Sequence, residues 1–373
     1  MSNIRRNFRN MLGWKTNRKI IVIESDDWGT VRMPSIQAFE RLEKAGLDLT
    51  SRDGERYARN DTIASVSDLT NLFEVLSGFR DINGKACVFT PMSIMVNPDF
   101  EKIKKDGFLT YHYELFTETL KKYKGSENAF EMWMEGIQSH LFVPELHGRE
   151  HLNVAAWMNA LQAGDKQTLI AFDEGVWSFR PAPDSANPFG YQAGFQLFNP
   201  REIEYHKTVI KDATEIFSKL FKYRAKVFVA PNNKYNNALN STLLENGIQF
   251  KAAARKQLES LGNGKERTVI NLRQKSRSGL WYLFRNAFFE PNLPGKDWVD
   301  SCLSDIDNAF KLKNPAIISS HRTSFTGGLN VQNRDRGLQQ LRELIQTAQL
   351  KWPNIEFMTS TELGELMKNG RKQ

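Results

Sequence analysis

Apolar positions in this chain fall into short runs that alternate with stretches of helical period. "KIIVIES" (19–25), "KACVFTP" (85–91), "SHLFVPEL" (139–146), "AKVFVAP" (225–231), "IQFKAAA" (248–254), "PAIISSH" (315–321) and "NIEFMTS" (354–360) read as short strands without polar alternation. Between them, "VSDLTNLFEVLSGF", "TVIKDATEIFSKLF", "DWVDSCLSDIDNAF" and "NRDRGLQQLRELIQTAQ" repeat apolar residues three and four apart, which predicts helices with one buried stripe. Strands that are apolar on both faces and are followed by helices predict a parallel sheet covered on both sides, either a (β/α) barrel or a doubly wound sheet. No fixed-period repeat or low-complexity linker divides the chain, so one domain is expected. The segment 174–205, with "WSFRPAPDSANPFGYQAGFQLFNP", is rich in Pro, Gly and aromatics and predicts a long loop over one rim.

The ends of these strands carry the polar chemistry. "KIIVIES" runs into Asp26-Asp27, "LFVPEL" into His147, "VFVAP" into Asn232-Asn233, and "AIISS" into His321-Arg322. In parallel α/β folds the carboxyl ends of the strands form the active-site rim, so these groups are expected to converge. An Asp before a glycine-containing turn commonly caps a helix or closes an Asx-turn. Two adjacent carboxylates cost more, because like charges raise the pKa of one of them. A divalent cation would relieve that cost by taking one as ligand and leaving the other as a base.

In "ELHGREHLN", His147 and His151 stand four residues apart, which at a helix start puts both imidazoles on one face. A solitary pair at that spacing is more often a cap and a packed ring. Here it follows a strand end, in a chain with six histidines. Two His and one Asp make a three-ligand site with an open position for water, the catalytic rather than the structural zinc pattern. His321 comes 170 residues after His151. Off the metal but facing the same pocket, it suits a general acid.

Composition narrows the classes. At 373 residues and 40% hydrophobic content the chain can bury a large core. It has no run of about 18 uncharged apolar residues, so no spanning helix is expected. The start lacks the apolar core of a secretory signal, and the two cysteines, Cys87 and Cys302, lie in apolar elements, so a cytoplasmic protein without disulfides is expected. The formal charge of +8 is spread out, and no zinc-finger, helix-turn-helix or basic-aromatic pattern points to nucleic acid. The first twenty residues hold six Lys or Arg and no acid, with Ile4, Phe8, Met11 and Leu12 near one helical face. Residues 1–18 therefore read as a basic helix or extension, either capping the fold or making a peripheral membrane contact.

Taken in order, Asp-Asp, HxxxH, an apolar strand ending in Pro, and a late Ser-His resemble the NodB-type polysaccharide deacetylases, carbohydrate esterase family four. The resemblance implies a single domain, residues 19–373, folded as a distorted (β/α)7 barrel with rim insertions. It makes "ESDD" the counterpart of the family's T-F-D-D, with Asp26 as catalytic base and Asp27 as metal ligand. "HGREH" then supplies His147 and His151 as ligands, and "SSH" supplies His321 as general acid. In "VFVAPNN" it places Pro231 and the backbone N–H of Asn232 at the oxyanion. The implied cofactor is one divalent ion, zinc first, with cobalt, nickel or manganese as alternatives.

The implied reaction is hydrolysis of the N-acetyl or O-acetyl group of a sugar or glycan. Without a secretory signal, a nucleotide- or lipid-linked acetamido sugar is the expected substrate. Trp28 is placed to stack on a sugar ring. The family's base-orienting arginine has no counterpart in "VFVAP", which leaves Arg322, Arg180 and Arg149 as candidates; Arg322 is also placed at the substrate. "GKDWVD" (Asp297, Trp298) suggests the family's Asp-Trp motif or a plain N-cap. Two rival readings stay open: an H-x-x-E-H metallopeptidase with Glu150 as base, and a glycan-binding barrel without turnover.

Overall fold

The computed structural model describes residues 9–51, 54–183, 185 and 190–370. Part of the expected N-terminal helix, residues 1–8, lies outside them, as do residues 184 and 186–189 of the expected rim loop. Thirteen strands are present among the described residues. Nine form one sheet: β1 Lys19–Trp28, β2 Phe89–Ile94, β5 Glu145–Gly148, β6 Val227–Phe228, β7 Phe250–Ala253, β10 Trp281–Phe284, β11 Ala287–Phe288, β12 Ala316–His321 and β13 Ile355–Phe357. The others make two small antiparallel pairs, β3 Val96–Pro98 with β4 Tyr113–Leu115 and β8 Lys256–Gly262 with β9 Lys265–Ile270.

The main sheet runs β10-β7-β6-β5-β2-β1-β12-β11, and every pairing in it is parallel. β13 joins the first residues of β1 on the side where β2 takes the last ones. The sheet curls into a distorted (β/α) barrel in one domain, one of the two architectures the strand pattern allows and the one the family resemblance implies. The expected helices are Val66–Ser77, Ile203–Phe221, Trp298–Lys311 and Val331–Lys351. None of the described helices is long and apolar enough to cross a membrane.

Alternate residues of each strand face two different cores. Ile21, Ile23 and Phe89 pack with the outer helices through Leu69, Val209 and Leu341. The intervening set, Ile20, Val22, Val227, Phe250, Leu283 and Ile317, packs inward on Leu363 and Met367 of the C-terminal helix Ser360–Asn369. That helix fills the barrel interior closely enough that a Cβ on Gly364 would lie 2.7 Å from the Phe250 ring. The polar residues of its first turn then meet inward carboxylates: Ser360 Oγ donates to Glu24, and Thr361 Oγ1 donates to Glu145.

Glu145 also accepts from the backbone N–H groups of Lys226 and Val227, both at 2.9 Å, yet burial pushes its carboxyl up to about 7. A carboxyl raised above its ordinary 4.5 favours folding while protonated, so this contribution is complete below about 4.5 and lost as pH rises through about 7. The loss amounts to about 3 kcal/mol. Urea unfolding between pH 4.5 and 8 is expected to show wild type losing this much stability relative to Glu145→Gln, whose amide stays neutral throughout; parallel curves would refute it.

The edge strands β10 and β11 are not paired with each other, and the chain itself spans the gap. Arg285 N–H bonds to Ala253, the last residue of β7, while Asn286 N–H bonds to Ile317 of β12. The described part of the N-terminal extension closes the seam below. Asn286 Nδ2 donates to Asn10, Asn10 donates to Asn308, and Arg255 donates to the carbonyls of Arg9 and Leu12. Residues 9–16 are thus a wedge in the barrel wall.

Candidate active site

β1 ends in a bulge where its pairing with β2 slips between Ser25 and Trp28. Asp27 there adopts φ 74, a left-handed conformation that is uncommon for a non-glycine residue. Asp26 stays in register opposite His321 of β12. The irregularity splits the two carboxylates, which would otherwise alternate across the strand, between two sets of partners.

Asp27 Oδ1 lies 3.3 Å from His147 Nε2 and 3.1 Å from His151 Nε2, with all three residues buried. His147 is on β5. His151 is in the bend after it rather than on a helix, and the turn between them passes through Gly148 at φ 140. His147 Nδ1–H donates to Val229 O at 2.9 Å, which turns the Nε2 lone pair toward Asp27. Burial, reinforced by Arg32, brings the His151 imidazole down to about 4, so it is neutral at pH 7.

Tetrahedral coordination at metal–nitrogen and metal–oxygen distances of about 2.0–2.1 Å separates neighbouring ligand atoms by roughly 3.3 Å. The spacings and chemistry of this donor set fit a divalent ion. Asp27 Oδ2 is taken by Arg32 Nη2 at 3.0 Å, and the same nitrogen is 3.2 Å from His151 Nε2. Burial alone would raise the Asp27 carboxyl, but Arg32 and the imidazoles hold it well below the usual range.

Asp26 is gripped by Arg285, whose Nη1 and Nη2 donate to its two oxygens at 2.6 Å each. Arg285 Nε donates to Glu24, and Nη1 also reaches Ser319 Oγ. Burial would raise the Asp26 carboxyl, but the Arg285 guanidinium keeps it below the usual range. None of the arginines named from sequence does this. Arg322 is wholly buried on Asp61 and the Thr30 carbonyl; Arg149 bonds to Glu150, Asp212 and Tyr205; Arg180 lies on an outer wall. Arg322 therefore does not face a substrate.

His321 donates from Nδ1 to Glu290 Oε1 at 2.5 Å, and Glu290 Oε2 accepts from Arg56 at 2.7 Å. Burial would lower the imidazole, but Glu290 raises it above its ordinary value. Arg285 and Glu290 both come from the stretch "WYLFRNAFFE", an aromatic run into Arg and then Glu that the expected strands omit. The β8–β9 hairpin before it is likewise unforeseen.

Beside these groups opens a cavity of about 470 Å³, lined by Arg32, Tyr57, Arg180, Gln192, Asn232 and Lys234 among others; it meets the site through Arg32, which bonds to Asp27, and Tyr57, whose ring lies against His321. Asn232 is exposed, at φ 53, just after buried Pro231, and its N–H has no bonded partner among the described residues. Trp28 does not face a sugar. It is 1% exposed, edge-on to Trp133 and Phe142, with its indole N–H on Ser25. Asp297 is the N-cap of the helix Trp298–Lys311, accepting from Asp300 N–H. Glu150, the base of the metallopeptidase reading, is bonded to Arg149.

No protein-family model matches the sequence, and no curated protein matches it. Solved structures with similar layouts include a protein of Mycobacterium smegmatis assigned as a polysaccharide deacetylase, at 10% identity and TM-score 0.46 over 96% of this chain and 94% of that one. A family 4 acetyl xylan esterase of Clostridium thermocellum, in complex with a cobalt ion, matches at 12% identity and TM-score 0.37 over 93% and 91% of the two chains. A 4-alpha-glucanotransferase of Thermococcus litoralis matches at 12% identity and TM-score 0.44 over 92% of this chain but 40% of its own. At such identities and scores these likenesses carry no weight for the chemistry, which the side chains at the rim must decide.

Proposed function

We propose that this chain is a metal-dependent deacetylase that hydrolyses the acetyl group of an acetamido sugar or glycan, in the manner of the NodB-type enzymes. One observation carries the reading: the adjacent carboxylates have separate partners, Asp27 with two imidazoles and Asp26 with Arg285, while an imidazole–carboxylate pair stands on the neighbouring strand. A glycan-binding barrel has no use for that division.

Asp27, His147 and His151 would hold a divalent ion, which would supply Lewis-acid polarisation of the acetyl group and of water. Asp26, kept ionised and oriented by Arg285, accepts the proton of that water. The N–H of Asn232 donates to the oxygen on which negative charge develops. His321, held by Glu290 and raised in pKa, gives its proton to the departing amine nitrogen. Acetate and a free amino sugar leave the site. Acetate release from N-acetylated sugars and oligosaccharides is the direct test: it is expected to vanish with a strong chelator and return with zinc or cobalt. Release unchanged by chelation would sink the metal-dependent reading.

His321 must carry its proton when the amine departs, so activity is lost as pH rises through its pKa. Glu290→Gln removes the carboxylate that raises that pKa and leaves the opposing Arg56 nearby. The alkaline limb of kcat/KM is therefore expected to move toward lower pH. An unmoved limb would assign it to another group.

A further inference from the structure

The cavity over the site is lined unevenly in charge: Arg32, Arg180 and Lys234 against the single carboxylate of Asp48. The three cations are not equivalent. Arg32 is buried and faces Asp27 and Asp61, and Lys234 Nζ sits 2.7 Å from Glu266. Arg180 is exposed; its guanidinium makes a 3.5 Å contact to Ser51 Oγ and stands close enough to Asp48 to help lower that carboxyl. The Asp48 carboxylate nearby is turned onto the N–H groups of Thr50 and Ser51. The Arg180 backbone is pinned by N–H to Asp48 O, so the guanidinium stands on a fixed wall. Polar groups of Ser51, Ser178 and Gln192 share the cavity with it. A volume of about 470 Å³ lies within the range of small-molecule sites and exceeds what an acetamido group at the ligand set needs.

Resting on the deacetylase reading, we infer that the substrate carries an anionic group, phosphate or carboxylate, on or next to the acetamido sugar, and that Arg180 binds it in the cavity it shares with Arg32 and Asn232. A planar guanidinium pairs with either oxyanion through two parallel N–H bonds, which fixes direction as well as charge.

Calorimetric titration of the metal-loaded protein with N-acetylglucosamine, N-acetylglucosamine 1-phosphate and N-acetylmuramic acid separates the cases. At low salt at least one anionic sugar is expected to bind about tenfold more tightly than the neutral one, and the tighter of the two names the anion. Arg180→Gln is expected to bring that ratio close to one, and Arg180→Lys to restore part of it; unchanged thermal unfolding verifies that both variants are folded. A ratio near one in wild type, a ratio that survives Arg180→Gln, or no binding of any of the three overturns the inference. Acetate release measured on the same sugars tests the underlying reading separately. Release without an anionic preference removes the role of Arg180 alone, whereas preference without release removes the deacetylase.

Discussion

Arg285→Met is expected to unfold the protein at markedly lower denaturant than wild type and to abolish acetate release even where the chain stays folded. The guanidinium is the shared partner of two inward carboxylates, with bonds of 2.6 Å to Glu24 and to both oxygens of Asp26. Removing one member of a buried ion network strands the others, at a cost of about 3–5 kcal/mol. Glu24 keeps the Ser360 hydroxyl, but Asp26 loses the group that holds its proton affinity down and its plane fixed.

Adding Glu24→Gln to Arg285→Met removes one stranded charge and should recover part of the stability measured by urea unfolding. It should leave acetate release at least about 100-fold below wild type, because the base is still unoriented. Activity that returned in step with stability would reduce Arg285 to a structural ion pair. Arg285→Lys should fold better than the Met variant yet recover little rate, since an ammonium cannot make the two parallel bonds.

How the sequence concealed this arginine is instructive. The residues that converge at the rim were legible because each ends a strand of aliphatic residues: Asp26 and Asp27 after "KIIVIE", His147 after "LFVPEL", His321 after "AIISS". Period and polarity suffice there, since parallel strands buried on both faces admit little else. Arg285 lies at the crossing from β10 to β11, where the chain steps between unpaired edges of the sheet, and no strand or helix period marks such a step. Its side chain points inward onto Asp26 and Glu24. "LWYLFRNAFFE" was nonetheless a usable signal, an apolar run delivering Arg and Glu in the manner of the other strands.

The opposite failure befell Trp28 and Arg322. Each stands beside a rim residue in sequence, but adjacency along a strand reverses the face. Trp28 therefore points into the outer core, and Arg322 turns to buried Asp61. The spacing of His147 and His151 predicts two rings on one helix face, whereas a strand end and a glycine turn bring the rings together instead.

Asp26→Asn and Asp27→Asn are isosteric changes at adjacent residues, and they are expected to fail in different ways. Asp27 offers Oδ1 to the position shared with His147 and His151, so its amide should cost most of the bound metal. Asp26 faces Arg285 instead, so its amide should keep about one metal ion per chain while acetate release falls by about 10²- to 10⁴-fold. Metal content by elemental analysis and acetate release, measured on both variants, give a crossed pattern that simple damage to the fold would not produce. The left-handed backbone at Asp27 strengthens the expectation. Asn tolerates that conformation as well as Asp does, so the variant tests the missing charge and not the turn. If Asp26→Asn emptied the site while Asp27→Asn stayed loaded, the two roles would have to be exchanged. If both variants kept metal and rate, the divided partners would describe only how the barrel tolerates two buried charges at the end of its first strand.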